Sequence, residues 1–308
     1  MLMAIRMTQF KRPSKATTSG FTLIEISIVL VIIGLIVGGI LTGQDLIRAA
    51  GIRAQIAQIE KYHTAVRTFQ GKYGYLPGDI PDPYAGRFGF VARGSYAGEG
   101  DGNGLLAGIS SNSAGSDQGN KEAAGELGLF WVDLSQAGLI DGSFNTVVAT
   151  SLPASDATGA TIGNYFPSAK IGNGNYVYTW GGGSSCCPWT YTGINYYGIS
   201  NVSLIAGSTN FGKVTSSAGL SVLQALNIDT KADDGLPQTG SIIAVYLNID
   251  PRWTDGTNML SSGPSTAATA ASSTTCYDNG NVNNATQKYS TAQNGGSGVN
   301  CGLSFRFQ

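Results

Sequence analysis

The chain has 308 residues, of which 12% are charged and 44 are glycine, and its formal net charge is −1. An apolar share of 42% is too high for a chain disordered throughout. Four basic residues (Arg6, Lys11, Arg12, Lys15) and no acid fall in the first 20, which leaves 14 of the 18 basic residues against all 19 acidic ones in a mildly acidic body with no electrostatic basis for strong nucleic-acid binding.

Residues 1–20 read as the basic flank of an export signal, held in the cytoplasm by their positive charge. The run from Phe21 to Leu41 is 21 residues long and carries one charge, Glu25. At 1.5 Å per helical residue it spans about 30 Å, one hydrocarbon thickness. An ionisable side chain in such a run is a functional candidate by default, because a buried charge is tolerated when it is paired.

The boundary itself reads "SG" then "FTLIE". Gly20, Phe21, Thr22, Leu23, Ile24 and Glu25 stand where the class III signal of type IV pilins and of type II secretion pseudopilins has them, and the chain resembles that family here. The resemblance implies that a prepilin peptidase cuts after Gly20 and that Phe21 becomes the N-methylated mature terminus. It also implies that the apolar run stays on the mature protein, anchors it in the bacterial inner membrane, and later joins a periplasmic or cell-surface filament. Cleavage leaves an ammonium group on Phe21, and Glu25 lies one helical turn away. In the family this glutamate attracts the terminal amine of a neighbouring subunit. Many members carry a proline where this chain has Thr42.

Beyond the anchor, Ala49, Ile52, Ile56, Ile59, His63 and Val66 recur at spacings of three and four, one stripe of a helix. Arg53, Glu60, Lys61 and Arg67 fall off that stripe. The pattern ends near Gln70, and "YLPGDIPDP" stops a helix. The spacing thus predicts one helix from Phe21 to about Phe69, near 75 Å long at 1.5 Å per residue. Gly34, Gly38, Gly39 and Gly43 each weaken it by about 1 kcal/mol relative to alanine in water, and in membranes such residues often serve close helix packing. The expected organisation is a cleaved leader (1–20), an apolar helix half (21–43), an amphipathic half (44–70) and an exported head (71–308).

Residues 71–120 read as loop. Within them "GEGDGNG" places Glu99, Asp101 and Asn103 at alternate positions with Gly104 at the sixth, like the first half of a calcium loop. The twelfth position is Ser110, not a bidentate glutamate, so Asp233 and Asp234 are the candidates to complete a calcium site. Residues 121–140 predict a short amphipathic helix burying Leu127, Phe130, Trp131, Leu134 and Leu139. Residues 217–231 predict another, ending near Asn227. Strands are predicted at 175–180, 194–205, 241–249 and 303–307, where β-branched and aromatic residues alternate with Gly and Asn. The fold class is α+β: a long N-terminal α-helix packed on an antiparallel β-sheet head with Gly-rich loops. "KYGYLPGD", "FWVDLSQAGLI" and "NIDTKADDGLPQTGSI" are also similar to pilin-like sequence. Residues 261–275 read as a low-complexity surface loop.

Cys186, Cys187, Cys276 and Cys301 form no C-x-x-C pair, and a lone His63 does not make a zinc site. An exported chain with four cysteines reads as two disulfides. The favoured pairing joins Cys186 and Cys187 crosswise to Cys276 and Cys301; the rival closes Cys276–Cys301 by itself. Catalysis is not expected. His63 lies on the packing face of the helix, no nucleophile elbow or phosphate loop is present, and Glu99, Asp101 and Asp133 have no spacing that defines a carboxylate pair. Tyr191, Tyr196 and Tyr197 read as strand residues before they read as a sugar-binding surface. The expected partners are the prepilin peptidase, copies of this chain or related subunits, and the inner membrane, with no nucleic acid. Two other readings are a pseudopilin of a type II secretion system and, in a different class, a non-polymerising membrane-anchored exported protein.

Overall fold

The computed structural model describes residues 20–109, 121–182, 193–207, 212–254, 271–278 and 287–308. The chain divides into two compact units, Met1–Arg48 and Ala49–Gln308. Helix α1 runs from Leu23 to Tyr73 without a break, 51 residues. It begins two residues later and ends four residues further on than the sequence pattern indicates.

In the first unit the apolar side chains of α1 have nothing to pack against. Leu23 is 90% exposed and Leu35 72%, and no part of the apolar stretch is buried. A methyl group added at Gly34, Gly38, Gly39 or Gly43 would meet no neighbour within 4 Å. The Thr42 hydroxyl donates to the Gly38 carbonyl at 3.0 Å, and the helix continues through the glycines. By length and composition this helix is able to cross a membrane; such a surface left bare in water would promote association.

In the second unit α1 buries Ile52, Gln55, Gln58, Ile59, Tyr62, Ala65, Val66 and Phe69. The charges Arg53, Glu60, Lys61 and Arg67 are exposed, as the pattern requires. The buried stripe is turned towards Tyr62 and Phe69, because two glutamines take places on it. Gln58 Oε1 accepts from Lys170 N at 2.9 Å and Gln55 Oε1 from Ile171 N at 3.0 Å, while Gln58 Nε2 donates to Ser168 O at 2.9 Å. These bonds satisfy three main-chain groups of a loop pressed on the helix, where unpaired groups would be costly.

The loop after α1 contains one helical turn, α2 (Tyr84–Arg87), where the sequence pattern indicates loop. Helix α3 (Gly125–Gln136) is buried at every position from Gly125 to Leu134. This corrects the amphipathic expectation. Leu127, Phe130, Trp131 and Leu134 are buried as expected and Leu139 partly, but Leu129, Val132, Glu126 and Asp133 on the other sides are buried too. A helix apolar nearly all round belongs in a core, and its two acids have internal partners.

The strands in chain order are β1 (Ala157–Thr158), β2 (Asn175–Gly181), β3 (Asn195–Ile205), β4 (Val214–Ser217), β5 (Leu220–Ser221), β6 (Ile242–Ile243), β7 (Val245–Asn248), β8 (Asp250–Trp253), β9 (Tyr277–Asp278), β10 (Lys288–Tyr289), β11 (Val299–Cys301) and β12 (Leu303–Arg306). Helix α4 (Val222–Ala232) follows β5. β3 organises the main sheet: β2 and β1 pair along one edge, β12 and β4 along the other, and β6 extends the sheet beyond β12, all antiparallel. Tyr197 of β3 reaches the α1 and α3 side, with its ring centroid 6.0 Å from Tyr62 and 6.3 Å from Trp131. On the opposite face Tyr178 lies across Gly198; a methyl group there would come within 2.2 Å of the Tyr178 ring, so only glycine fits. The long helix packed against this antiparallel sheet gives a mixed α+β protein.

Two strand and helix limits differ from the sequence reading. The 241–249 run breaks at Ala244, whose N–H donates to Pro237 O at 2.8 Å and whose carbonyl accepts from Thr254 N at 3.0 Å. β6 therefore pairs with β12 while β7 pairs with β8. α4 continues past Asn227 to Ala232, started by a capping box in which Gln224 N donates to Ser221 Oγ at 3.1 Å and Ser221 N to Gln224 Oε1 at 2.9 Å.

Cys276 is bonded to Cys301, with Cα atoms 5.1 Å apart, and both are fully buried. This overturns the favoured crosswise pairing: β9 and β11 bring the two late cysteines together, so neither is free for Cys186 or Cys187. Those two, with Ser110, Tyr191 and most of 261–275, lie outside the described residues. The bridge closes a separation of 25 residues. Loop-closure entropy for a ring of that size is worth about 3.5 kcal/mol. Cys276→Ala/Cys301→Ala is expected to lower the stability of the head by about that amount, read from urea unfolding with the parent as reference.

Candidate functional site

The N-terminal start of α1 is built from Gly20 to Glu25. Gly20 and Phe21 lie outside the helix, and Phe21 is 83% exposed, so the bond between them is on extended, accessible chain. Thr22 caps the helix. Glu25 N donates to Thr22 Oγ1 at 3.3 Å, and Glu25 Oε2 accepts from Thr22 N at 2.7 Å and from Thr22 Oγ1 at 2.8 Å. This reciprocal arrangement satisfies donors that the first helical turn leaves over. The T-x-x-E spacing of Thr22 and Glu25 is the signal for it, and the sequence reading passes over that signal in favour of the charge alone. Only one carboxylate oxygen is used: Glu25 Oε1 has no hydrogen-bond partner among the described residues. An anion therefore stands at the helix N-terminus with one oxygen to spare, at the head of an apolar run.

The five expected calcium ligands do not gather at one place. Asp101 groups with Asp79 and Glu126, and Asp233 and Asp234 group with Asp229; within each trio, carboxylate oxygens lie within 4.8 Å of one another. Asp233 and Asp234 thus do not complete the 99–104 loop, because they are tied to the turn after α4. There Asp233 Oδ2 accepts from the N–H groups of Ser241 and Ile242, and Asp234 Oδ1 accepts from Leu236 N at 2.8 Å. Asn103 Nδ2 donates to Asp101 Oδ2 at 2.8 Å, and Glu99 Oε2 accepts from Tyr96 N at 3.0 Å. Asp79 and Glu126 are the acids that hold the glycine loop. Asp79 accepts from Gly102 N at 2.8 Å and Gly104 N at 2.9 Å; Glu126 accepts from Gly100 N at 2.9 Å, Asp101 N at 3.2 Å and Ala107 N at 2.9 Å. Each trio is an oxygen set of the kind hard cations use, and in each the carboxylates already receive main-chain donors. The signal for Glu126 is an acid inside the apolar run "GELGLFW"; for Asp79 it is the Pro-Gly turn that precedes it.

Asp79 and Glu126 hold their protons more tightly here. Burial, with Asp101 adding, pushes Asp79 up to about 7 against the N–H groups of Gly104 and Gly102. Burial and then Asp79 and Asp101 raise Glu126 well above the usual carboxylate range. Burial also pushes Asp229 up to about 7, opposed by the Tyr289 hydroxyl and Gly235 N–H. Between about pH 4 and pH 7 the folded chain binds more protons at these sites than the unfolded chain, so stability falls as pH rises through that window. His63, lowered by burial and Arg67, acts in the opposite sense within that window, whereas exposed Asp141, lowered by Lys61, acts only below it. The raised acids, Asp79, Glu126, Asp229 and Asp133, outweigh it, and the urea midpoint is expected to be higher at pH 5 than at pH 7.5. A midpoint that falls on acidification over that range would contradict the assignment.

Asp133 does not group with Glu99 or Asp101. It is fully buried and paired with Arg93 at 2.6 Å. His63 is a half-buried helix residue whose ring centroid lies 5.4 Å from that of Tyr197. Tyr196 and Tyr197 are buried strand residues. Comparisons with protein-family models, with curated proteins and with solved structures find no match to this chain.

Proposed function

We propose that this chain is the precursor of a type IV pilin-like structural subunit, anchored in the inner membrane and assembled into a filament through α1. The observation that carries the reading is the start of α1. A capped glutamate with one spare oxygen opens a helix whose apolar side chains find no internal partner, immediately after the exposed Gly20–Phe21 bond. An apolar stem of this kind is stable in lipid or bundled with other stems, and not bare in water. In this reading residues 1–20 are the leader, a prepilin peptidase removes them, Phe21 is N-methylated, and copies of the chain supply the partners. Its role is structural, not enzymatic.

The mature terminus tests the proposal. Mass spectrometry of the protein purified from its host membrane is expected to find N-methyl-Phe21 as the first residue. Gly20→Asp is expected to leave the leader in place, because a branched, charged side chain replaces the glycine at the bond to be cut. Sheared surface material from cells carrying the parent chain is expected to contain it as a repeating unit. A terminus at any other residue, or Gly20→Asp processed as the parent is, rejects the reading; a processed chain found only in the inner membrane rejects the filament role.

A further inference from the structure

A groove of about 500 Å³ lies on the head between α1, the loop after α3 and residues 163–170. Its size falls among small-molecule sites, which combine an apolar lining with a few convergent polar groups. Ala57, Phe144, Phe166 and Pro167 supply the apolar part. The polar groups converge on Asp141. Lys61 Nζ of α1 stands 2.5 Å from Asp141 Oδ2, so this pair joins two walls of the groove. Lys61 first, and Lys170 with it, hold the Asp141 carboxyl below the usual range. Burial first, with Asp141 adding against the Gln58 hydrogen bond, pushes the Tyr62 phenol up to about 12. Lys170 and Tyr62 line the same groove. Each of these groups has bonding capacity left. Asp141 Oδ1 and Lys170 Nζ have no hydrogen-bond partner among the described residues, and Lys61 has further N–H donors. Tyr62, whose oxygen accepts from Gln58 Nε2 at 2.9 Å, still has its O–H to give.

We infer that this groove binds a neutral saccharide, through two neighbouring hydroxyls set across the Lys61–Asp141 pair. A carboxylate and an ammonium 2.5 Å apart present an acceptor beside a donor. Vicinal hydroxyls are the complement: one donates to Asp141 while its neighbour accepts from Lys61, and both bonds have a charged partner. The C–H face of the sugar ring covers Ala57 and Pro167, and Tyr62 and Lys170 meet further hydroxyls. An anion would gain from the ammonium groups and lose against the carboxylate beside them; a cation would do the reverse. A purely apolar ligand would strip water from both charges and return no hydrogen bond. The inference does not depend on filament assembly, because every lining residue belongs to the second compact unit.

The experiment titrates maltose, cellobiose and lactose separately into the full chain, labelled with ¹⁵N-glycine, in a phosphocholine detergent that carries no sugar. Gly142 and Gly163 line the groove, so their amide signals report on occupancy. At least one of these sugars is expected to shift both signals saturably, with a dissociation constant of about 10 mM or tighter. Asp141→Asn keeps the side-chain shape and breaks only an exposed ion pair, so the head stays folded. It is expected to weaken binding about ten-fold or more, the scale of a hydrogen bond to a charged group. Ala57→Leu leaves every polar group in place and fills the groove from an exposed helix position, where leucine is nearly as good a helix former. It is expected to abolish the saturable shift. Glucuronate and glucosamine, which carry one charge of either sign, are expected to bind more weakly than the best neutral sugar. No saturable shift with any of the neutral sugars at about 100 mM overturns the inference. So does tighter binding of glucuronate or glucosamine, which shows a charge site and not a diol site. Unchanged affinity in Asp141→Asn or in Ala57→Leu overturns it as well, because the sugar then binds elsewhere.

Discussion

Arg93→Met is expected to destabilise the head by about 3–5 kcal/mol, the range for breaking one side of a buried ion pair. Both side chains of the Arg93–Asp133 pair are inaccessible to solvent, and their charged atoms are 2.6 Å apart. The arginine also donates to Ile80 O at 3.1 Å and to Val91 O at 2.8 Å, and its own N–H reaches Asp82 at 2.9 Å. Asp133 in turn accepts from Gly78 N at 2.7 Å. One pair therefore ties the loop after α1 to the central helix α3. Methionine preserves much of the volume and removes every side-chain donor, so Asp133 is left charged in a dry site. Burial alone raises the Asp133 carboxyl, and Arg93 is what opposes that. Without Arg93 the carboxyl rises further, so the penalty is expected to shrink as pH falls and Asp133 takes a proton. Urea unfolding at pH 7.5 and pH 5 measures both effects. Arg93→Met/Asp133→Leu is expected to regain most of the loss, since an apolar replacement of both partners leaves nothing unpaired. A single-variant loss under about 1 kcal/mol would mean that water reaches the site and the pair acts as a surface bridge does.

That pair also shows where sequence reading stops. α1, β2, β3 and β12 were legible because apolar spacing and β-branched runs carry their period directly. The glutamines at Gln55 and Gln58 broke the helical stripe, and so its buried side was placed too far towards Ile56 and His63. Polar side chains read as surface, yet here they satisfy main-chain groups of a docked loop. α3 looks one-sided in the sequence for the same reason: Glu126 and Asp133 resemble a solvent face, and only the fold brings to them the loops that donate to them. Asp79 and Glu126 are 47 positions apart in the sequence, and only the fold brings them to the glycine loop. The disulfide was likewise outside the reach of spacing, since four cysteines give several pairings and strand placement selects among them. At the N-terminus the apolar helix is legible from its length and composition, but the local chemistry of its first turn is not. Glu25 was assigned to a distant amine, and half of its carboxylate is occupied by its own helix cap.

In the proposed filament, the oxygen that the cap leaves over leads to the second large effect. Glu25→Gln is expected to insert into the membrane and mature at Phe21 as the parent does, yet to enter filaments about ten-fold less or worse, because an ammonium group is then left without a counter-charge in apolar surroundings. Glutamine makes the same reach back to the cap residue as glutamate, so the start of α1 survives the change and only the charge is lost. Thr22→Val does the converse. It removes the hydroxyl that accepts from Glu25 N at 3.3 Å and donates to Oε2 at 2.8 Å, and it leaves the carboxylate in place. Its first helical turn is expected to loosen while filament entry stays within about three-fold of the parent, the modest scale of a lost cap. Quantifying each variant in sheared filaments and in the membrane fraction separates the two roles. If Thr22→Val fails as completely as Glu25→Gln, helix geometry and not charge governs entry. If Glu25→Gln enters freely, the spare oxygen has no amine to meet, because a neutral amide can serve a cap but cannot balance an ammonium group in oil.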